Sequence, residues 1–191
     1  ILCNFCYLLL ILVCKVALYT QLGEDGELGF CGGVLIDAEW VLTAAHCCYH
    51  HGEQAILGAH NLFDRYENGR RIINVAETVV HPDWDPETTA NDIALLKLSH
   101  AGQLTDNIDT VRLPYLNMSS FNFAGQGVTV SGWGIATQGV PFISPTLREK
   151  SMTVLNEDTC NSHYLHLLPL TNICAFHNSA AGVCKVKKYF I

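Results

Sequence analysis

The chain has 191 residues, long enough for one domain with a packed core, and 49% of them are apolar against 15% charged. That balance excludes a disordered chain. The net charge of −7, with no basic stripe outside the last few residues, argues against a nucleic-acid partner. Nine cysteines point to an oxidising, extracellular compartment, and their odd number leaves at least one thiol without an internal mate.

Residues 1–14 are almost wholly apolar, but a membrane span needs about 20 such residues, so no span is expected. The stretch is signal-like without an initiator Met, a basic start or a small-residue cleavage site. A lipid on Cys14 is conceivable, although Val13 is bulky beside it. Intron read-through accounts for more of the composition, because Phe, Leu, Ile and Val take T at the second codon position and Cys and Tyr at the first, as a pyrimidine-rich intron end would supply. Lys15 can be read from AAG, a splice acceptor, and Val186-Lys187-Lys188 from GTA-AAA-AAA, which opens on a donor. The expected division is an apolar head over 1–15, a domain over 16–185 and a foreign tail over 186–191.

Along the middle, short apolar runs bounded by turn residues predict strands at Val16–Gln21, Phe30–Ile36, Trp40–Thr43, Gln54–Leu57 and Arg71–Val80. Further strands are predicted at Ile93–Leu98, Gly127–Gly132, Leu147–Leu155 and Asn172–Ala175. Polar breaks fall at Glu24–Glu27, Asn68–Gly69, Pro82–Pro86 and Gly102–Asp109. Short helical turns are predicted at Ala44–Tyr49 and Glu157–Tyr164, and Pro114–Ala124 suits a connection between two halves. The fold class is all-β, a barrel or sandwich. Asn117-Met118-Ser119 is a glycosylation acceptor.

Cys31-Gly32-Gly33-Val34-Leu35-Ile36, followed by Trp40-Val41-Leu42-Thr43-Ala44-Ala45-His46-Cys47, resembles the chymotrypsin/trypsin family of serine endopeptidases. Asn91-Asp92-Ile93-Ala94-Leu95-Leu96-Lys97-Leu98 resembles the family's aspartate strand, and Ser131-Gly132-Trp133-Gly134 the start of its second barrel. The resemblance covers roughly residues 16–185. It implies a double Greek-key β-barrel, the first barrel over about 16–113 and a partial second over about 125–185. It makes His46 the general base and Asp92 its orienting carboxylate, since an imidazole that takes and returns a proton needs a fixed tautomer and a nearby negative charge. It implies disulfides Cys31–Cys47 and Cys160–Cys174, each worth about 3 kcal/mol through loop closure. Cys3, Cys6, Cys14, Cys48 and Cys184 receive no partner from it, and Cys48 no role.

The resemblance departs after Cys184. The family continues to Gly-Asp-Ser-Gly-Gly, whereas here the count from Cys184 puts Lys188 at the nucleophile's position, and no Gly-x-Ser-x-Gly occurs elsewhere. The oxyanion-hole glycine and the pocket walls beyond it are likewise unmatched, and Ile1-Leu2-Cys3-Asn4 differs from the expected Ile-Val-Gly-Gly-type terminus. An incomplete second barrel and an inactive 191-residue chain are therefore expected. The alternative is a non-catalytic homologue that acts by binding. Gly182 falls where trypsins keep the aspartate that binds Arg or Lys, so the parent's specificity is expected to be chymotrypsin-like rather than trypsin-like.

Cys47, Cys48, His50 and His51 cluster without regular zinc spacing, and the resemblance needs Cys47 for a disulfide. In trypsins a calcium loop follows Leu57-Gly58, and its first glutamate would fall at Ala59, which cannot ligate. No metal or other cofactor is expected. The implied partners are protein or peptide substrates and protease inhibitors for the full-length parent. The chain itself is expected to be a secreted monomer.

Overall fold

A computed structural model describes residues 14–22, 27–48, 53–114, 122–135, 142–163 and 173–177. Its first half is a closed antiparallel barrel of six strands. In chain order these are β1 (Lys15–Leu22), β2 (Glu27–Asp37), β3 (Trp40–Thr43), β4 (Gln54–Leu57), β5 (Arg71–Val80) and β6 (Ala94–Leu98). Around the barrel they run β1-β2-β3-β6-β5-β4, and pairing of β1 with β4 closes the circle, Val16 opposite Leu57 and Leu18 opposite Ala55. The second half contributes a three-stranded sheet of β7 (Gly127–Gly132), β8 (Arg148–Val154) and β9 (Ala175–Phe176), with helix α1 (Glu157–His163) between β8 and β9. Among the described residues no helix is long and apolar enough to cross a membrane.

Alternation sorts the barrel strands into inside and outside. Ala94, Leu96 and Leu98 of β6 are buried while Leu95 and Lys97 are half-buried, so every second residue faces the core. Strand β1 breaks the rule for a reason. Val16 and Leu18 enter the barrel core with Leu35, Val41, Leu57 and Leu96. Ala17, between them, is equally buried in a second cluster with Ile56, Leu62, Trp133 and Leu147. The second half thus covers the outer face of β1 and β4, and a strand buried on both faces reads as a continuous apolar run.

That cover is tied down by polar bonds. Trp133 Nε1–H donates to the His60 carbonyl at 3.0 Å, Leu147 N–H to the same carbonyl at 2.8 Å, and Leu62 N–H to the Pro145 carbonyl at 2.8 Å. Trp133 is 1% exposed, so the indole buries its large apolar surface and still satisfies its one donor.

Several expected boundaries shift, each because a backbone group has another partner. Leu147 leaves β8 because its N–H is spent on His60, and Leu155 ends it by donating to the Cys174 carbonyl at 2.9 Å. Ile93 lies outside β6 because its N–H bonds Asn91 and its carbonyl accepts His81 N–H. Of the strand expected at Asn172–Ala175, Asn172 lies outside the described residues, and the described strand is Ala175–Phe176, paired with Val154 and Thr153. Glu27, expected in a break, opens β2 opposite Leu22. Most of the expected connection at Pro114–Ala124 falls outside the described residues.

Gly33 marks a close approach in the barrel wall. A Cβ there would lie 2.7 Å from Val41 Cγ1 and 3.0 Å from the Leu42 carbonyl oxygen of β3. Backbone cannot swing aside as a side-chain end can. Gly33→Ala is therefore expected to destabilise the fold by about 1–3 kcal/mol, measured by chemical denaturation. A loss below about 0.5 kcal/mol, the range of an indifferent surface change, would show that β2 and β3 are not so close.

Candidate active site

The site is built where β3 ends and β6 begins. Pairing of β3 with β6 runs from Trp40 opposite Lys97 to Thr43 opposite Ala94. The residues beyond Thr43 therefore emerge beside those just before Ala94. Past Thr43 the chain makes a 3-10 turn, Ala45–Cys47, within the helical turn expected from Ala44 to Tyr49, of which Tyr49 lies outside the described residues. This turn carries His46. Cys47 pins it to β2 through a disulfide with Cys31 whose Cα atoms lie 6.1 Å apart. Thr43 Oγ1 donates to the buried Gly32 carbonyl at 2.7 Å, fixing the same corner.

His46 and Asp92, 46 residues apart, meet through two hydrogen bonds. His46 N–H donates to Asp92 Oδ1 at 2.9 Å, and Nδ1 lies 2.7 Å from Asp92 Oδ2. An ionised carboxylate only accepts, so Nδ1 carries the proton and the imidazole lone pair belongs to Nε2. The two side chains keep 32% and 23% of their surface exposed, so the pair sits at the bottom of an accessible corner. Burial pushes the Asp92 carboxyl up, but the hydrogen bonds from the His46 ring and backbone N–H outweigh it and hold the group below the usual carboxylate range.

Behind the pair lies a cluster that the sequence does not announce. Glu53 is 5% exposed and its Oε2 accepts from Thr78 Oγ1 at 3.3 Å. Cys48, next to the disulfide, points its thiol at the Ala44 carbonyl at 3.5 Å. Burial, then the negative charges of Glu53 and Asp92, push that thiol up to about 12. Cys48 is thus a packing residue with almost no thiolate at neutral pH, not a second nucleophile.

Cys31, His46 and Cys47 place their donor atoms within 4.8 Å of one another. Both sulfurs are spent in the disulfide, and a disulfide sulfur is not the thiolate that zinc requires. His50 and His51 lie outside the described residues. At the calcium-loop position Ala59 is buried against Trp133, and the loop beyond it is organised from within. The Glu67 carboxylate accepts the backbone N–H groups of His60 and Asn61, while Arg70 Nη1 donates to the carbonyls of Leu62 and Asp64 at 2.9 and 3.1 Å. The Arg70 guanidinium supplies positive charge among these carbonyls.

In the second half Cys160 and Cys174 are joined as a disulfide, with Cα atoms 5.9 Å apart. Asn117, Gly182, Cys184 and Lys188 lie outside the described residues.

A family model described as Trypsin matches residues 14–185. The chain belongs to the trypsin family of serine proteases. Duodenase-1 of Bos taurus is 36% identical over 151 residues, which are 79% of this chain and 58% of the relative. Trypsin of Sus scrofa is 37% identical, over 76% of this chain and 60% of its own length. Granzyme E of Mus musculus is 33% identical, over 84% and 63%. A solved structure described as "Structure of GrC" superposes with a TM-score of 0.78 at 32% identity, covering 86% of this chain and 70% of that one. The chain thus has the chymotrypsin-like fold, and it spans about three-fifths of the length of the curated relatives it matches.

The hydrogen bonds that lower the Asp92 pKa tie the pair to the stability of the fold. A carboxyl that titrates lower in the folded than in the unfolded chain stabilises the fold fully above about pH 4, and the contribution fades as pH falls through the folded value. Asp92→Asn is expected to be less stable than the unsubstituted chain at about pH 6, with the difference shrinking toward roughly pH 2. Denaturation of both proteins across that range checks this, and a difference independent of pH would contradict it.

Proposed function

We propose that this chain carries the general-base portion of a serine-type endopeptidase that acts on protein substrates outside the cell. The observation that carries this reading is the pair of hydrogen bonds between His46 and Asp92 in a chain of the trypsin family. The fixed tautomer leaves Nε2 to accept the proton of an attacking hydroxyl and return it to the leaving amine. Asp92 stabilises the imidazolium formed between those two steps. Asp92 is held by the backbone of His46 as well as by its ring, so the ring cannot turn without losing its partner.

The nucleophile's position within these 191 residues is assigned to Lys188, by counting from Cys184. The 191-residue polypeptide alone is therefore read as unable to form an acyl-enzyme, since a base with no hydroxyl to activate does no acyl transfer. The partial domain is read as a first barrel over about 16–113 and part of a second over about 125–185. Gly182, which the family resemblance assigns to the pocket floor, carries no charge, which disfavours Arg or Lys there and favours a large apolar side chain before the cleaved bond. Nine cysteines and the acceptor at Asn117 support secretion.

Lys188 also favours a second reading, a non-catalytic homologue that works by binding. One experiment separates the two. The natural product is captured from its source with an antibody to residues 53–114 and treated with a fluorophosphonate, which labels activated serines. Labelling, with cleavage after apolar residues, is expected. The recombinant 191-residue chain should remain unlabelled. A natural product that neither labels nor cleaves would sink the peptidase reading and leave the binding one.

A further inference from the structure

Two residues other than glycine adopt left-handed backbone among the described residues, Thr89 with φ 59° and Asn91 with φ 57°. Both lie in the connection from β5 to β6, immediately before Asp92. Left-handed backbone is rare without glycine and collects where a structure holds a group in one special place. Asparagine tolerates this region better than most residues, a β-branched threonine worse.

The hydrogen bonds show what the two turns accomplish. His81 N–H donates to the Ile93 carbonyl at 3.1 Å, and Asp85 N–H to the Ala90 carbonyl at 3.1 Å, so the connection is a narrow loop pinned at its base and near its tip. The Asn91 side chain spans the loop between these pins, its Nδ2–H donating to the Asp83 carbonyl at 2.8 Å. Directly after, Ile93 N–H turns back to the Asn91 carbonyl at 2.8 Å. Asp92 is the residue enclosed by that tight turn, and both its oxygens meet His46.

We propose that Asn91 is a positioning residue for the His46–Asp92 pair, its left-handed backbone and its side-chain bond to the Asp83 carbonyl together aiming the Asp92 carboxylate at His46. Glycine would adopt the same φ but could not tie the turn to the opposite arm of the loop. Alanine would neither tie the turn nor accept the φ without strain. The two requirements select asparagine. Asn91 touches no reacting atom in this account and acts only through Asp92. The inference rests on the reading of His46 and Asp92 as a proton-handling pair for its functional meaning.

The test reads the pair itself in the full 191-residue chain. Proton NMR records the low-field Nδ1–H resonance of His46 and its titration midpoint, with Asp92→Asn as the reference for a lost pair. Asn91→Gly, which keeps the backbone conformation, is expected to broaden the resonance and move the midpoint down from its value in the unsubstituted chain. Asn91→Ala should move it further, by about half a pH unit or more. A merely structural role would lower the melting temperature and leave both signals of the folded protein in place. Unchanged signals in folded Asn91→Gly and Asn91→Ala overturn the proposal. Should Asn91→Ala fail to fold, Asn91→Gly decides alone, shifted signals supporting and unchanged signals overturning. No hydrolysis enters these readings, whereas the fluorophosphonate experiment tests the peptidase reading and is blind to Asn91.

Discussion

The register of β3 against β6 is the constraint on which the site depends. Thr43 opposite Ala94 sends two chain segments out of the barrel side by side, and His46 and Asp92 are the residues that then meet. A slip of one residue would turn the apolar face of the slipped strand outward, so the apolar core enforces the register that the chemistry needs. The devices around it stiffen one corner. The Cys31–Cys47 disulfide ties β2 to the turn that carries His46, the Thr43–Gly32 bond ties β2 to β3, and Gly33 lets those two strands approach closely beside them.

The second half works on the barrel from outside. Strand β1 could not remain apolar on both faces in an isolated barrel without exposing Ala17 and its neighbours on β4. Trp133, Leu147 and the loop from Ala59 to Leu62 supply the missing cover. Polar bonds from Trp133 and Leu147 to one carbonyl, that of His60, fix where the cover sits. The loop at 59–70 thereby serves both halves, and Glu67 and Arg70 keep it in shape with groups the chain carries itself.

Much of this was legible from residues alone, and the rest was not for identifiable reasons. The strands at Trp40–Thr43, Gln54–Leu57, Arg71–Val80 and Gly127–Gly132 stand where turn signals and apolar runs put them, because their ends are set by local breakers. Strand ends set by distant partners, such as Leu147 bound to His60, carry no local signal. The strings around His46 and Asp92 single them out, and the family resemblance they carry implies the two disulfides. The second bond of the pair, from the His46 backbone, belongs to a 3-10 turn that composition does not specify. Cys48 and Glu53 show the same limit. Nothing in Cys47-Cys48 or Glu53-Gln54 reveals that a half-buried thiol will feel the charges of both Glu53 and Asp92. The left-handed Asn91 had its signal, an asparagine before the aspartate, but only the loop's pairing explains why it is there.

The corner between β3 and β6 is a site only if His46 and Asp92 are coupled in the folded chain. A double-mutant cycle with His46→Ala, Asp92→Ala and both together, measured by denaturant unfolding at neutral pH, tests this most directly. The structure predicts a coupling of about 1 kcal/mol or more, within the range for residues in direct contact. Two single losses that simply add, within about 0.3 kcal/mol, would mean that the pair does not form and that the corner between β3 and β6 is not the site.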